Sequence, residues 1–255
     1  MTINGDERNS IKMKAGQSYM ATGPGTGPLC YVSLRPFKSL VLGYLVQLSF
    51  RASMPTIAQE WGKIQLPIYS YRGKKPMIHV DALVSPLAIV LGDVEISEGT
   101  SVFPGAMIRG DVAKITIGKF SNIQENVVLH GGDVYEGDQL KGHLPVEIGD
   151  YVTIAHGAVI HGSRVDDVSM IGINATVFEG SVVGEGSIIG MNAAVTQNTR
   201  IPSRSVAVGV NAKVVKTVDD ATYSRIKKHA LWYHDLAKSH RGTIFPRMPK
   251  RAIPL

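Results

Sequence analysis

The chain has a single cysteine in 255 residues, Cys30. No disulfide can close within it, which fits a reducing compartment and an expected cytoplasmic location. Membrane-length apolar runs are also missing: Leu40 to Phe50 is apolar but well short of the ~20 residues that a span needs. Acidic residues are absent between Glu7 and Glu60. Residues 1–59 therefore hold six Lys/Arg against two Asp/Glu, or +4 of the chain's +6, which leaves +2 for the rest. The pI near 9.3 partly reflects that segment. No basic run is interleaved with aromatics, which argues against nucleic-acid binding. Through the middle of the chain the three- and four-residue apolar spacing of a helix is missing as well.

In its place stands a six-residue repeat from about Ile78 to Ala207. An aliphatic residue opens each turn at Ile78, Val84, Val90, Ile96, Val102 and Ile108. A small or β-branched residue follows four places later at Ala82, Ala88, Val94, Thr100, Ala106 and Val112. The pattern resumes at Ile117, Ile123 and Leu129, again at Ile148, Ile154 and Ile160, and then runs from Val165 to Ile201. A short fixed period signals a solenoid. Period six suits short parallel strands joined by tight corners, with both the aliphatic and the small residue turned inward. Gly92, Gly118, Gly149, Gly172, Gly184 and Gly190 are expected where a corner needs an unusual backbone angle. Three turns per coil give a triangular prism, so the expected fold is an all-β solenoid, a left-handed parallel β-helix of hexapeptide repeats.

Breaks in the phase mark insertions, which leave a solenoid outward at its corners. Ile108 to Ile117 carries three extra residues, and Ile160 to Val165 is one short. Leu129 to Ile148 carries thirteen extra residues, expected as a loop holding Asp133, Glu136 and Asp138. Helical spacing returns from Asp219 to Ser239, with Tyr223, Ile226, Ala230, Leu231, Tyr233 and Leu236 as the apolar set. The tail from Arg241 to Leu255, with three prolines, reads as extended. The expected organisation is an unstructured N-terminal extension over 1–60, the β-helix over 61–210, and a helix with its tail over 211–255. Residues 21–28 (ATGPGTGP) read as a linker. An acid-poor, basic leader is also compatible with an organellar or export signal, or with translation starting at Met54.

Three histidines fall at informative phases. The turns opening at Ile108, Leu129 and Ile160 lie on one face in successive coils, so their second residues, Arg109, His130 and His161, stack at the ~4.8 Å strand spacing. His130 and His161 then project side by side, a spacing compatible with one metal. The turns opening at Ile123 and Ile154 lie on another face and carry Gln124, Glu125 and His156. His156 cannot easily reach the other pair within its own chain, but a neighbouring copy can supply it, so the phase implies a homotrimer. Asp111 is placed to pair with an arginine across such an interface. His79, His143, His229, His234 and His240 show no such pattern and take no role.

The segments Ile108-Arg-Gly-Asp111, Asn122-Ile-Gln-Glu-Asn-Val-Val-Leu-His130 and Ala155-His-Gly-Ala-Val-Ile-His161 resemble the γ-class carbonic anhydrase family. The resemblance implies a β-helix trimer that interconverts CO2 and bicarbonate. It implies that His130, His156 and His161 bind Zn2+, or Fe2+ or Co2+ under some conditions. It further implies that Arg109 and Asp111 form an interface pair, that Gln124 and Glu125 line the site, and that Asp133 is the nearest candidate for a proton shuttle. The family's archetype carries Glu directly after the residue matching Asp111, whereas this chain has Val112, an inward slot of the repeat. The competing readings are a non-catalytic metal-binding assembly subunit of the same family, a hexapeptide-repeat acyltransferase, and a metal-dependent thioesterase.

Overall fold

The computed structural model describes residues 19–21, 30–32 and 66–245. The chain divides into two units, Met1–Gln59 and Glu60–Leu255. In the first, Tyr19–Ala21 pairs antiparallel with Cys30–Val32. The linker reading of 21–28 is thus flanked by paired strands, and the extension is not wholly without structure. The apolar stretch from Leu40 to Phe50 lies outside the described residues.

The second unit is the parallel β-solenoid, whose two- and three-residue strands stack in register from coil to coil. One stack runs Val90, Ile108, Leu129, Ile160, Val177, Val195. A second runs Ile78, Ile96, Ile117, Ile148, Val165, Val183, Ile201. A third runs Val84, Val102, Ile123, Ile154, Ile171, Ile189, Ala207. These are the phases of the six-residue repeat, and the stacked side chains form one continuous buried core. Each coil is too thin to bury this face alone and relies on its neighbours.

Several expectations need correction. Val112 is no inward slot: it is 39% exposed. Gly92 pairs with Gly110 and Val94 with Ile115, so the three extra residues bulge out around Asp111–Lys114 and carry Val112 with them. Ile115 takes the buried place instead. The thirteen-residue insertion is a β-hairpin, Gly132–Glu136 antiparallel to Gln139–Leu144, rather than an irregular loop. Of the six glycines, only Gly92 has a positive φ, +80°. Gly118 and Gly172 answer a different constraint: a Cβ there would stand 2.5 Å and 2.7 Å from the backbone of the coil beneath.

The C-terminal helix is Asp220–Ser239, capped by the Asp219 side chain accepting from the Thr222 amide. Its buried residues are Ile226, Ala230, His234 and Ala237, whereas Leu231 is exposed. His234 therefore does have a place: its Nδ1 donates to the Gly99 carbonyl at 2.8 Å. Burial pushes its imidazole pKa down. The tail does not simply extend: Phe245 turns back and is fully buried with Leu83, Phe103 and Ala237. The remaining tail residues are outside the described set. Near the start of the helix, the Tyr223 hydroxyl donates to Glu185, and the Arg204 guanidinium lies 4.4 Å from the ring centroid. Among the described residues no helix is long and apolar enough to cross a membrane.

Two predictions follow from this packing. Ile171→Ala empties a fully buried slot and should cost about 2–5 kcal/mol in urea denaturation. Tyr223 is pushed up to about 12, chiefly by its hydrogen bond to Glu185. A raised folded value stabilises below the unfolded tyrosine value near ~10 and is lost as pH rises through the folded one. Tyr223→Phe should therefore lower the urea midpoint at pH 8, and the gap to wild type should close between about pH 10 and 12.

Candidate metal centre

The first group of polar side chains stands on the Ile108–Leu129–Ile160 stack. Register places His130 beside Arg109 on one side and beside His161 on the other. Their side chains point out of the prism because the neighbouring Leu129 and Ile160 point in. His130 Nδ1 and His161 Nε2 face each other at 3.2 Å. Two nitrogens held at 2.0–2.1 Å by one tetrahedral metal stand roughly 3.3 Å apart, so the pair matches one edge of such a site.

The outer nitrogens meet carboxylates. His130 Nε2 lies 3.1 Å from Asp111 Oδ1, and Arg109 donates to Asp111 Oδ2 at 2.6 Å. The Arg109–Asp111 pair is thus made within one chain. Burial tends to raise the Asp111 carboxyl, but the Arg109 hydrogen bond and charge outweigh it and hold it below its ordinary value. Burial, aided by the Arg109 charge, pushes the His130 imidazole down and favours the neutral form that ligates metals. His161 Nδ1 lies 3.3 Å from Glu179 Oε1. That approach is off hydrogen-bond geometry, so Nδ1 counts as a buried polar atom without a bonded partner, and the contact is electrostatic. Phe178 stacks on the His161 ring with centroids 5.6 Å apart.

The second group lies at a corner reached from the Ile123–Ile154 stack. His156 Nδ1 meets Glu125 Oε2 at 2.7 Å, which leaves Nε2 free. Gln124 is buried beneath this corner: its Oε1 accepts from the His156 amide at 3.3 Å, and its Nε2 donates to Asn122 Oδ1 at 3.0 Å. Asn122 in turn donates to Thr153 Oγ1 at 2.9 Å. Tyr233 of the helix comes in against Gln124 and Glu125, and burial together with the Glu125 charge pushes its phenol up. Both ends of the Gln124 amide are committed, so it props the His156 corner rather than projecting freely.

The predicted residues thus form two half-sites. Arg109, Asp111, His130 and His161 come together, and so do Gln124, Glu125 and His156. Among the described residues of one chain, no three His, Cys, Asp or Glu side chains cluster tightly enough to hold a metal. Asp133 sits at the hairpin base. Its amide donates to Glu179 Oε1 at 3.1 Å, and its carboxylate is 2.8 Å from His143 Nδ1. Sequence reasoning missed Glu179, Tyr233 and His143. Phase carried one coil further would have found Glu179, because Val177 stacks on Ile160 and Glu179 follows two residues later. Gln124→Leu keeps the volume but strands the Asn122 oxygen and the His156 amide, and should cost about 1–3 kcal/mol in the thermal or urea midpoint.

Comparison with known proteins agrees with this arrangement, although no protein-family model matches the chain. The chain is 39% identical over 167 residues to "Gamma carbonic anhydrase 2, mitochondrial" of Arabidopsis thaliana, a match that takes in 66% of this chain and 59% of that protein. The chain therefore spans less than two thirds of that relative's length. It is 45% identical over 163 residues to "Probable carbonic anhydrase" of Methanocaldococcus jannaschii, covering 64% of this chain and 97% of that one. Among solved structures, a hexapeptide transferase family protein from Anaplasma phagocytophilum superposes with a TM-score of 0.63 at 27% identity, covering 69% of this chain and 99% of the other. This likeness identifies the solenoid as a hexapeptide-repeat left-handed β-helix. Family membership implies a metal cofactor. On its relatives and its fold, the chain belongs to the γ-class carbonic anhydrase family.

Proposed function

We propose that the chain is a carbonic anhydrase, a lyase that reversibly hydrates CO2 to bicarbonate, and that it works as a homotrimer. In this reading each interface joins His130 and His161 of one subunit with His156 of the next around a divalent cation. Zn2+ is the first choice, with Fe2+ or Co2+ as alternatives. The observation that carries the reading is the pair of imidazole nitrogens facing at 3.2 Å, each ring backed by a carboxylate, on a chain of this family.

As in carbonic anhydrases generally, a cation held by three neutral imidazoles acidifies water at its open position, so that water can attack CO2. The chain's own residues then have separable tasks. Asp111, Glu179 and Glu125 each engage the outer nitrogen of one histidine and set its ring orientation. Arg109 keeps Asp111 ionised and in place. Gln124 and Asn122 support the corner that presents His156. Exposed Val112 and Phe178 flank the His130–His161 half-site and suit burial against the next subunit. The relatives named mitochondrial favour an organellar location over the cytoplasmic one. The transferase-family neighbour supports an acyltransferase as the second reading, which acetyl-CoA turnover tests directly.

The primary experiment is stopped-flow CO2 hydration on anaerobically purified protein, normalised to bound Zn and Fe. Hydration proportional to about one metal per chain is expected, and His130→Ala should lose metal and activity together. A metal-loaded trimer without hydration would favour the assembly-subunit reading, and unchanged hydration by His130→Ala would sink the assignment.

A further inference from the structure

Resting on the hydration reading, we propose that His143 is the group that carries the reaction's proton to solvent, with Asp133 as its positioning partner. Hydration of CO2 follows CO2 + H2O → HCO3− + H+, so one proton must leave the site in every turnover. Water-accessible side chains able to take and release it near neutral pH are few, and imidazole is the foremost.

Three observations point to His143. The hairpin leaves the coil directly after His130, and it is pinned beside the half-site because the Asp133 amide donates to Glu179 Oε1, the same oxygen that lies 3.3 Å from His161 Nδ1. Asp133 and His143 are cross-strand partners in the hairpin ladder, and Asp133 Oδ1 lies 2.8 Å from His143 Nδ1. A carboxylate accepts, so Nδ1 carries the hydrogen and the Nε2 lone pair is left to take up a proton. The His143 side chain is 26% exposed, between the closed environment of His130 at 15% and open solvent.

The step balances without a further reactant. The proton passes from water at the site through intervening solvent to His143 Nε2. The resulting imidazolium is stabilised by the Asp133 carboxylate. Nε2 then gives the proton to an external buffer base, and the imidazole returns to its starting tautomer. Asp133, which the sequence marks as the shuttle, is thereby reassigned: its carboxylate is occupied in orienting His143.

The test is the buffer dependence of CO2 hydration by metal-loaded wild type, His143→Ala and Asp133→Asn. At low buffer concentration His143→Ala should lose about tenfold or more in kcat while kcat/KM stays within about twofold, because proton export limits only the former. Saturating buffer, or added imidazole, should restore kcat. Asp133→Asn should show a smaller loss of the same kind. In metal-free wild type, the imidazole nitrogen shifts of His143 should report an Nδ1–H tautomer that Asp133→Asn removes. A buffer dependence of His143→Ala equal to wild type overturns the proposal, as does a joint fall of kcat/KM and metal content, which would make the residue structural. An inactive wild type overturns the hydration reading and this proposal together, whereas an active wild type with an unaffected variant overturns this proposal alone.

Discussion

Everything in this molecule depends on the hydrogen-bonded ladder between successive coils. Each coil's strands donate to and accept from the coils on either side, so the register of one coil sets the register of all. Residues far apart in sequence become neighbours by this rule alone. His130 meets His161, Glu125 meets His156, and Asn122 meets Thr153, each pair separated by 31 positions. That common offset is one ordinary coil of eighteen residues plus the thirteen of the hairpin. The candidate centre is therefore a by-product of the same periodicity that fills the core with Ile and Val.

The face and the corner play different parts. On a face, strand pleat forces alternate residues outward, so His130 and His161 emerge in parallel from buried Leu129 and Ile160. At a corner, the chain turns and His156 points away from that pair. One chain consequently presents two incomplete sets of ligands. Carboxylates complete the local electrostatics of each set. Asp111 comes from a bulge, Glu125 from the coil above, and Glu179 from the coil below.

How much of this the sequence discloses follows from which interactions are periodic. The stack of Arg109, His130 and His161 follows from the spacing of Ile108, Leu129 and Ile160, and the ladder has that register. Val112 was misplaced because period-six counting continues through an insertion that the backbone instead throws outward. His234 carried no signal, since an imidazole among apolar helix positions reads as a break in the pattern. It is buried because the Gly99 carbonyl is there to accept from it. The Asp133–His143 pair was hidden for another reason. Its partners meet only when 132–144 folds as a hairpin, and the irregular register at Val134/Tyr135 blurs the two-residue alternation that would reveal it. Asp219 as helix cap and the helix limits were legible, because capping is local chemistry.

The hairpin leaves the solenoid and returns to it without disturbing the ladder, since Ile148 takes up its pairing with Ile117 and Val165 as though the insertion were absent. Its tip at Gly137 has open space on every side. The chain is thus topologically free at that point. New termini opened there would leave each coil's hydrogen bonds whole, and the protein could be written as a permuted sequence that begins at its own centre.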